Sequence, residues 1–105
     1  MNFTQINTAE LQVDNITQTV VTVSNVSVTV LAANAERKYI YFLNQGTVNA
    51  PVYLHFDASA ATNANGIALR DGQSYSFPSK FVYTGEVRAI SDTSANKPLY
   101  VEEWF

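Results

Sequence analysis

Hydrophobic and polar residues alternate along most of this chain, and a period of two predicts β-strands. The apolar positions are odd-numbered over residues 21–23 and even-numbered over residues 26–30. One straight strand cannot absorb such a shift, because its side chains alternate strictly between two faces. Ser24 and Asn25 are therefore predicted to form a turn between two strands.

The same pattern predicts further short strands, separated by loops rich in Asn, Ser, Thr and Ala. Asp71-Gly72 predicts a hairpin between the strands on either side of it. About eight strands with a turn roughly every 8–12 residues predict an all-β fold, a single antiparallel β-sandwich or jelly roll over residues 15–105. After the first two, the predicted strands are 38–43, 52–56, 67–69, 75–77, a kinked run from 81 to 90, and 99–105. The strand at 38–43 is dense in Tyr, Ile and Phe and is predicted to be buried or two-sided.

Residues 1–14 lack a clear period, and we predict an N-terminal arm that is ordered only when something covers it. At the other end of the chain, two large apolar residues must pack onto the core or onto a neighbouring chain. Both regions are predicted to contribute interface residues, namely Phe3, Ile6, Leu11, Val13, Trp104 and Phe105. The six tyrosines fit either a protein interface or the ordinary preference of strands for aromatic residues.

Composition narrows the classes of function. The chain has 105 residues, of which 47% are hydrophobic, and this is enough for one core. Six basic against nine acidic residues argue against a nucleic-acid partner, although Arg37-Lys38 forms one basic doublet. There is no cysteine and only one histidine, so we expect no metal and no cofactor. No apolar run reaches the roughly 20 residues of a membrane helix, and no membrane partner or secretory signal is expected.

The ionisable residues do not form a pattern typical of catalysis. His55 lies between Leu54 and Phe56 and is predicted to be a half-exposed strand residue. Glu102 and Glu103 are adjacent, so they point to opposite faces of a strand and cannot flank one bond. A solvated strand edge is the expected role for this pair. We predict no catalytic residues and no enzymatic activity.

From residue 26 to the end, a succession of short motifs resembles the small β-domains of tailed-phage virions. The longest motif, LAANAERKYIYFLNQG, covers residues 31–46. The others are VYLHF (52–56), GIAL (66–69), DGQS (71–74) and YTGEVRAI (83–90).

This resemblance implies a capsid decoration (cement) protein that stabilises the head by binding the major capsid protein. It also implies a homotrimer on the capsid surface, assembled in the host cytoplasm. The alternative is a receptor- or carbohydrate-binding module of a tail fibre or tail tip, with Tyr and Trp rings as stacking platforms. The resemblance brings no active-site residues with it.

Overall fold

The computed structural model describes residues 12–47, 49–62, 65–77 and 81–105 of the chain. Within these residues the chain is all-β, and its strands form two four-stranded antiparallel sheets. The strands are β1 (Ile16–Val23), β2 (Val28–Leu31), β3 (Tyr39–Asn44), β4 (Val52–His55), β5 (Ile67–Leu69), β6 (Ser74–Phe77), β7 (Val87–Ser91) and β8 (Lys97–Trp104).

The strand pairs are nested within one another along the chain. β1 pairs with β8, β2 with β7, β3 with β6 and β4 with β5. The first sheet therefore has the order β1-β8-β3-β6 and the second the order β2-β7-β4-β5. Nested pairing split over two sheets is the connectivity of a jelly roll. The predicted all-β sandwich of about eight strands is confirmed.

The core lies between the two sheets and follows the alternation in the sequence. In β3, Ile40 and Phe42 are fully buried, whereas Tyr39, Tyr41 and Leu43 are only half-buried. β8 alternates in the same way over its whole length. The hydrophobic residues buried in this core are Val23, Val30, Ile40, Phe42, Val52, Leu54, Leu69, Val87, Ala89, Leu99 and Val101.

The break between two strands predicted at Ser24 and Asn25 is confirmed. β1 ends at Val23 in the first sheet, and β2 begins at Val28 in the second. The shift of apolar positions from odd to even therefore marks the passage from one sheet to the other.

The hairpin predicted at Asp71-Gly72 is wrong. A turn is present and Gly72 has a φ of +80°, which favours glycine. However, β5 before the turn belongs to the second sheet and β6 after it belongs to the first. Turn chemistry specifies a change of direction, but it does not specify which strand becomes the neighbour. That choice is made by the long-range pairs of β5 with β4 and of β6 with β3.

The strand predicted at residues 81–83 is also wrong, because this segment is irregular. The ring of Tyr83 turns inward and packs edge-on against Phe56, with 5.6 Å between ring centroids. Its hydroxyl donates to the carbonyl of Glu86 at 3.0 Å. Gly85 permits this packing, since a Cβ at that position would lie 2.4 Å from the Tyr83 oxygen. Strand pairing begins only at Val87.

The predicted solvated edge at Glu102 and Glu103 is wrong as well, because β8 is a central strand between β1 and β3. Glu103 points inward and forms an ion pair with Arg37, whose side chain is completely buried, at 2.8 Å. The remaining Arg37 donors go to the carbonyls of Ala32, Tyr83 and Gly85 at 2.7–2.9 Å. Arg37 thus joins two loops to the central strand and is not part of a basic surface.

Candidate functional site

The outer surface of the first sheet carries a group of large side chains that point away from the core. The strand register sets them in three rows, of which one runs Ile16, Trp104, Tyr39 and another runs Val20, Tyr100, Leu43. The middle row contains Gln18, Glu102 and Tyr41. We call these nine residues the aromatic face.

The rings of the aromatic face contact one another across neighbouring strands. Tyr39 and Trp104 lie 4.8 Å apart between ring centroids, and Tyr41 and Tyr100 lie 6.1 Å apart in an edge-on arrangement. Cross-strand aromatic pairs stabilise a sheet, and each also forms a rigid apolar platform. Beside these platforms, the apolar side chains of Ile16 and Val20 on β1 are 55% and 57% exposed.

A carboxylate lies at the centre of the aromatic face. Oε1 of Glu102 accepts hydrogen bonds from the Tyr100 hydroxyl at 2.6 Å and from the Gln18 amide at 3.2 Å. Its Oε2 accepts from the indole N–H of Trp104 at 2.7 Å. These donors, the Tyr100 hydroxyl first among them, lower the pKa of Glu102. The same bond raises the pKa of Tyr100, because the carboxylate holds the phenolic proton.

β1 forms one edge of the first sheet and borders the aromatic face. Asn15 and Phe105 form two backbone hydrogen bonds with each other, N–H to C=O in both directions. In an antiparallel pair such bonded residues alternate with residues that do not bond to the neighbouring strand. Odd-numbered residues of β1 therefore bond to β8. Among the strands that the structure describes, none pairs with β1 on its other side, and the backbone groups of its even-numbered residues point to this open edge. Residues 15–23 contain no charge and no proline, the devices that commonly protect an edge strand.

The outer surface of the second sheet is more polar. Arg88 donates to Ser27, Thr29 and Glu86 at 2.8–3.0 Å. His55 lies opposite Arg88 in the β4–β7 ladder and is half-buried, as predicted for a strand residue on the outer side. Its Nδ1 atom has no hydrogen-bond partner within the described residues.

The interface residues predicted from the sequence fall in different places. Phe3, Ile6 and Leu11 lie outside the described residues. Val13 is half-buried at the start of the described chain. Phe105 is half-buried and borders an open polar cleft of about 300 Å³, whose other walls include Asp14, Glu36 and Lys38.

Trp104 is the one predicted interface residue that lies on the aromatic face. Tyr39, Tyr41 and Tyr100 are its partners there, and the sequence does not predict them as interface residues. The alternation in the last strand sets Tyr100 opposite Val101, but residues 38–43 are apolar on both sides, so the pattern does not assign Tyr39 and Tyr41 to one face. It did not place β3 and β8 side by side.

No protein-family model, curated protein or solved structure matches this chain. The described residues include no helix long and apolar enough to cross a membrane. Across the same residues, no three His, Cys, Asp or Glu side chains are grouped in a way that suits a metal ion.

Proposed function

We propose that this chain is a non-enzymatic structural protein of a bacteriophage virion, located on the capsid surface after assembly in the host cytoplasm. On this proposal it decorates the capsid and stabilises the head by binding the major capsid protein. The aromatic face supports the proposal, because Tyr and Trp are the side chains that most often dominate protein interfaces. Jelly-roll folds are also common in viral capsids, although a fold alone does not specify a function.

The binding of a Tyr41 variant to capsids tests this proposal. Replacing Tyr41 with serine removes a central ring of the face, and we expect affinity for capsids lacking this protein to fall about 30-fold or more, as for an interface hot spot. Co-sedimentation with such capsids measures the effect.

Tyr53 supplies the matched control for the Tyr41 variant. It is also a half-buried strand tyrosine, but it lies in β4 of the second sheet, where its hydroxyl donates to Asp92. Tyr53→Ser should bind capsids like the unmodified protein. Equal binding by both variants would remove the aromatic face from the proposal, and no binding by the unmodified protein would refute decoration itself.

Self-association as a homotrimer belongs to the same proposal, and the open edge of β1 supports it. An unprotected edge readily adds a strand from another molecule. A head-to-tail contact of this kind closes a ring when its rotation permits. Three copies would have three times the 11.6 kDa mass of one chain.

A proline at position 20 tests the role of the edge in self-association. The backbone N–H of Val20 points to the open side, so Val20→Pro removes a donor from the edge without breaking a bond to β8. We expect light scattering after size-exclusion chromatography to give a trimer for the unmodified protein and for Val20→Thr, which keeps the N–H. Val20→Pro should be monomeric, and a trimer in that variant would place the contact elsewhere.

A second function, a receptor- or carbohydrate-binding module of a tail fibre or tail tip, is favoured by the polar groups among the rings. Tyr39 and Trp104 offer platforms for stacking, and Glu102 and Gln18 lie beside them as hydrogen-bonding groups. Glycan-array binding that is lost in Tyr41→Ser would support this function over decoration. Silence across the array would count against it.

A further inference from the structure

The carboxylate of Glu102 differs in its partners from the carboxylates that form salt bridges in this structure. All three of its hydrogen-bond donors, on Gln18, Tyr100 and Trp104, are uncharged. None of the salt bridges among the described residues includes Glu102. Those salt bridges pair Glu103 with Arg37, Glu86 with Arg88 and Asp71 with Lys97.

The surroundings of Glu102 provide no cation either. The part of the first sheet's outer surface that the structure describes has no Lys or Arg side chain on β1, β3, β6 or β8. Its donors also lower the pKa of Glu102, which keeps the group ionised at neutral pH. Within the described residues, the aromatic face therefore presents one uncompensated negative charge.

The rings around this charge add a second attraction for a cation. Tyr41 lies opposite Glu102 across the β3–β8 ladder, and Tyr100 and Trp104 flank it along β8. The faces of aromatic rings carry negative electrostatic potential and attract cations, most strongly for tryptophan. A carboxylate that already accepts bonds from two of these rings is held in place before any ligand arrives.

Among cations, a guanidinium group suits this surface best. It is planar and weakly hydrated, so it stacks on rings at a lower desolvation cost than an ammonium group. It can also donate a hydrogen bond to Oε2 of Glu102, which accepts only one bond from the surrounding side chains, whereas Oε1 accepts two. We propose that Glu102, with Tyr41, Tyr100 and Trp104, forms a binding site for an arginine side chain of a partner protein. The identification of that partner as the major capsid protein rests on the proposed function.

The only tryptophan of the chain is part of this site, so its fluorescence reports directly on occupancy. The probe is N-acetyl-argininamide, titrated at constant ionic strength. The corresponding citrulline derivative has nearly the same shape but no charge. We expect a saturable change in Trp104 fluorescence with the arginine derivative and none with the citrulline derivative.

Two substitutions assign the binding to the site. Glu102→Gln removes the charge at nearly constant shape and should weaken arginine binding about tenfold or more. Tyr41→Leu keeps an apolar side chain but removes a ring, and it should also weaken binding. Glu86→Gln removes a carboxylate just before β7 of the second sheet and should leave binding unchanged. Thermal melting of each variant establishes that it is folded.

The proposal is overturned if arginine produces no saturable change, or if citrulline or folded Glu102→Gln gives the same curve. Because the probe is a free amino-acid derivative, no capsid takes part in this measurement. Failure of the protein to bind capsids would refute the proposed function, and it would leave the result of the arginine titration intact.

Discussion

Replacing Arg37 with methionine is expected to lower the free energy of unfolding by about 3–5 kcal/mol. Methionine fills much of the same volume, so the loss reflects charge and hydrogen bonds more than packing. The variant leaves the inward-pointing carboxylate of Glu103 without its cation. It also leaves three carbonyls, on Ala32, Tyr83 and Gly85, without the guanidinium donors that satisfy them. Urea denaturation of the purified variants measures the difference.

A double variant separates the cost of an unpaired charge from the net value of the ion pair. Adding Glu103→Leu to Arg37→Met removes the orphaned carboxylate, and we expect it to recover part of the lost stability. If Arg37→Met alone lowers the free energy of unfolding by less than about 1 kcal/mol, water reaches the ion pair and solvates Glu103. That result would contradict the role of Arg37 in holding the two loops against β8.

Replacing Phe42 with alanine is expected to cost a similar amount, about 3–5 kcal/mol. Phe42 is fully buried in β3 and contacts Phe56 edge-on, with 6.1 Å between ring centroids. Phe56 in turn contacts Phe77 at 5.0 Å and Tyr75 at 5.8 Å. Truncation therefore opens a cavity beside a cluster of rings that cannot easily close over it.

Phe42→Leu and Tyr41→Ser are the controls for this measurement. Leucine retains most of the apolar volume and should cost about 1–2 kcal/mol. Tyr41 is the adjacent residue, but its side chain lies half-buried on the aromatic face beside Tyr100, so Tyr41→Ser should cost only about 1 kcal/mol. Equal losses for Phe42→Ala and Tyr41→Ser would contradict the assignment of one residue to the core and the other to the binding face.

Core and binding face are built from the same strands in this fold. Along β3, the half-buried tyrosines of the aromatic face alternate with Ile40 and Phe42 of the core. Along β8, Glu102 serves the outer surface and Glu103 the buried ion pair. A domain of this size has a stability of about 5–15 kcal/mol, so substitutions on the inner side threaten the fold. Substitutions on the outer side leave the fold in place and change what it binds.

The order of the amino acids by itself determined the class of fold and much of its local structure. The period of two identified most strands, and the shift between Val23 and Val26 located the break between the first two of them. The same alternation put Glu102 and Glu103 on opposite faces of the last strand, because a strand points successive side chains to opposite faces. These are local properties, and they can be read without knowing which strands pair.

Pairing and its consequences were decided only by the tertiary structure. Asp71-Gly72 has the sequence of a hairpin turn, but it joins strands of different sheets. Residues 81–83 have the composition of a strand, but they are irregular because the ring of Tyr83 packs against Phe56. The sequence predicts Glu103 to be solvated. In the structure β8 is a central strand, and Glu103 pairs with Arg37, which is 66 positions away in the chain. The aromatic face exists only because β1, β8 and β3 lie side by side. Contacts between distant segments depend on how whole surfaces fit together, and a periodic pattern within one segment carries no information about that fit.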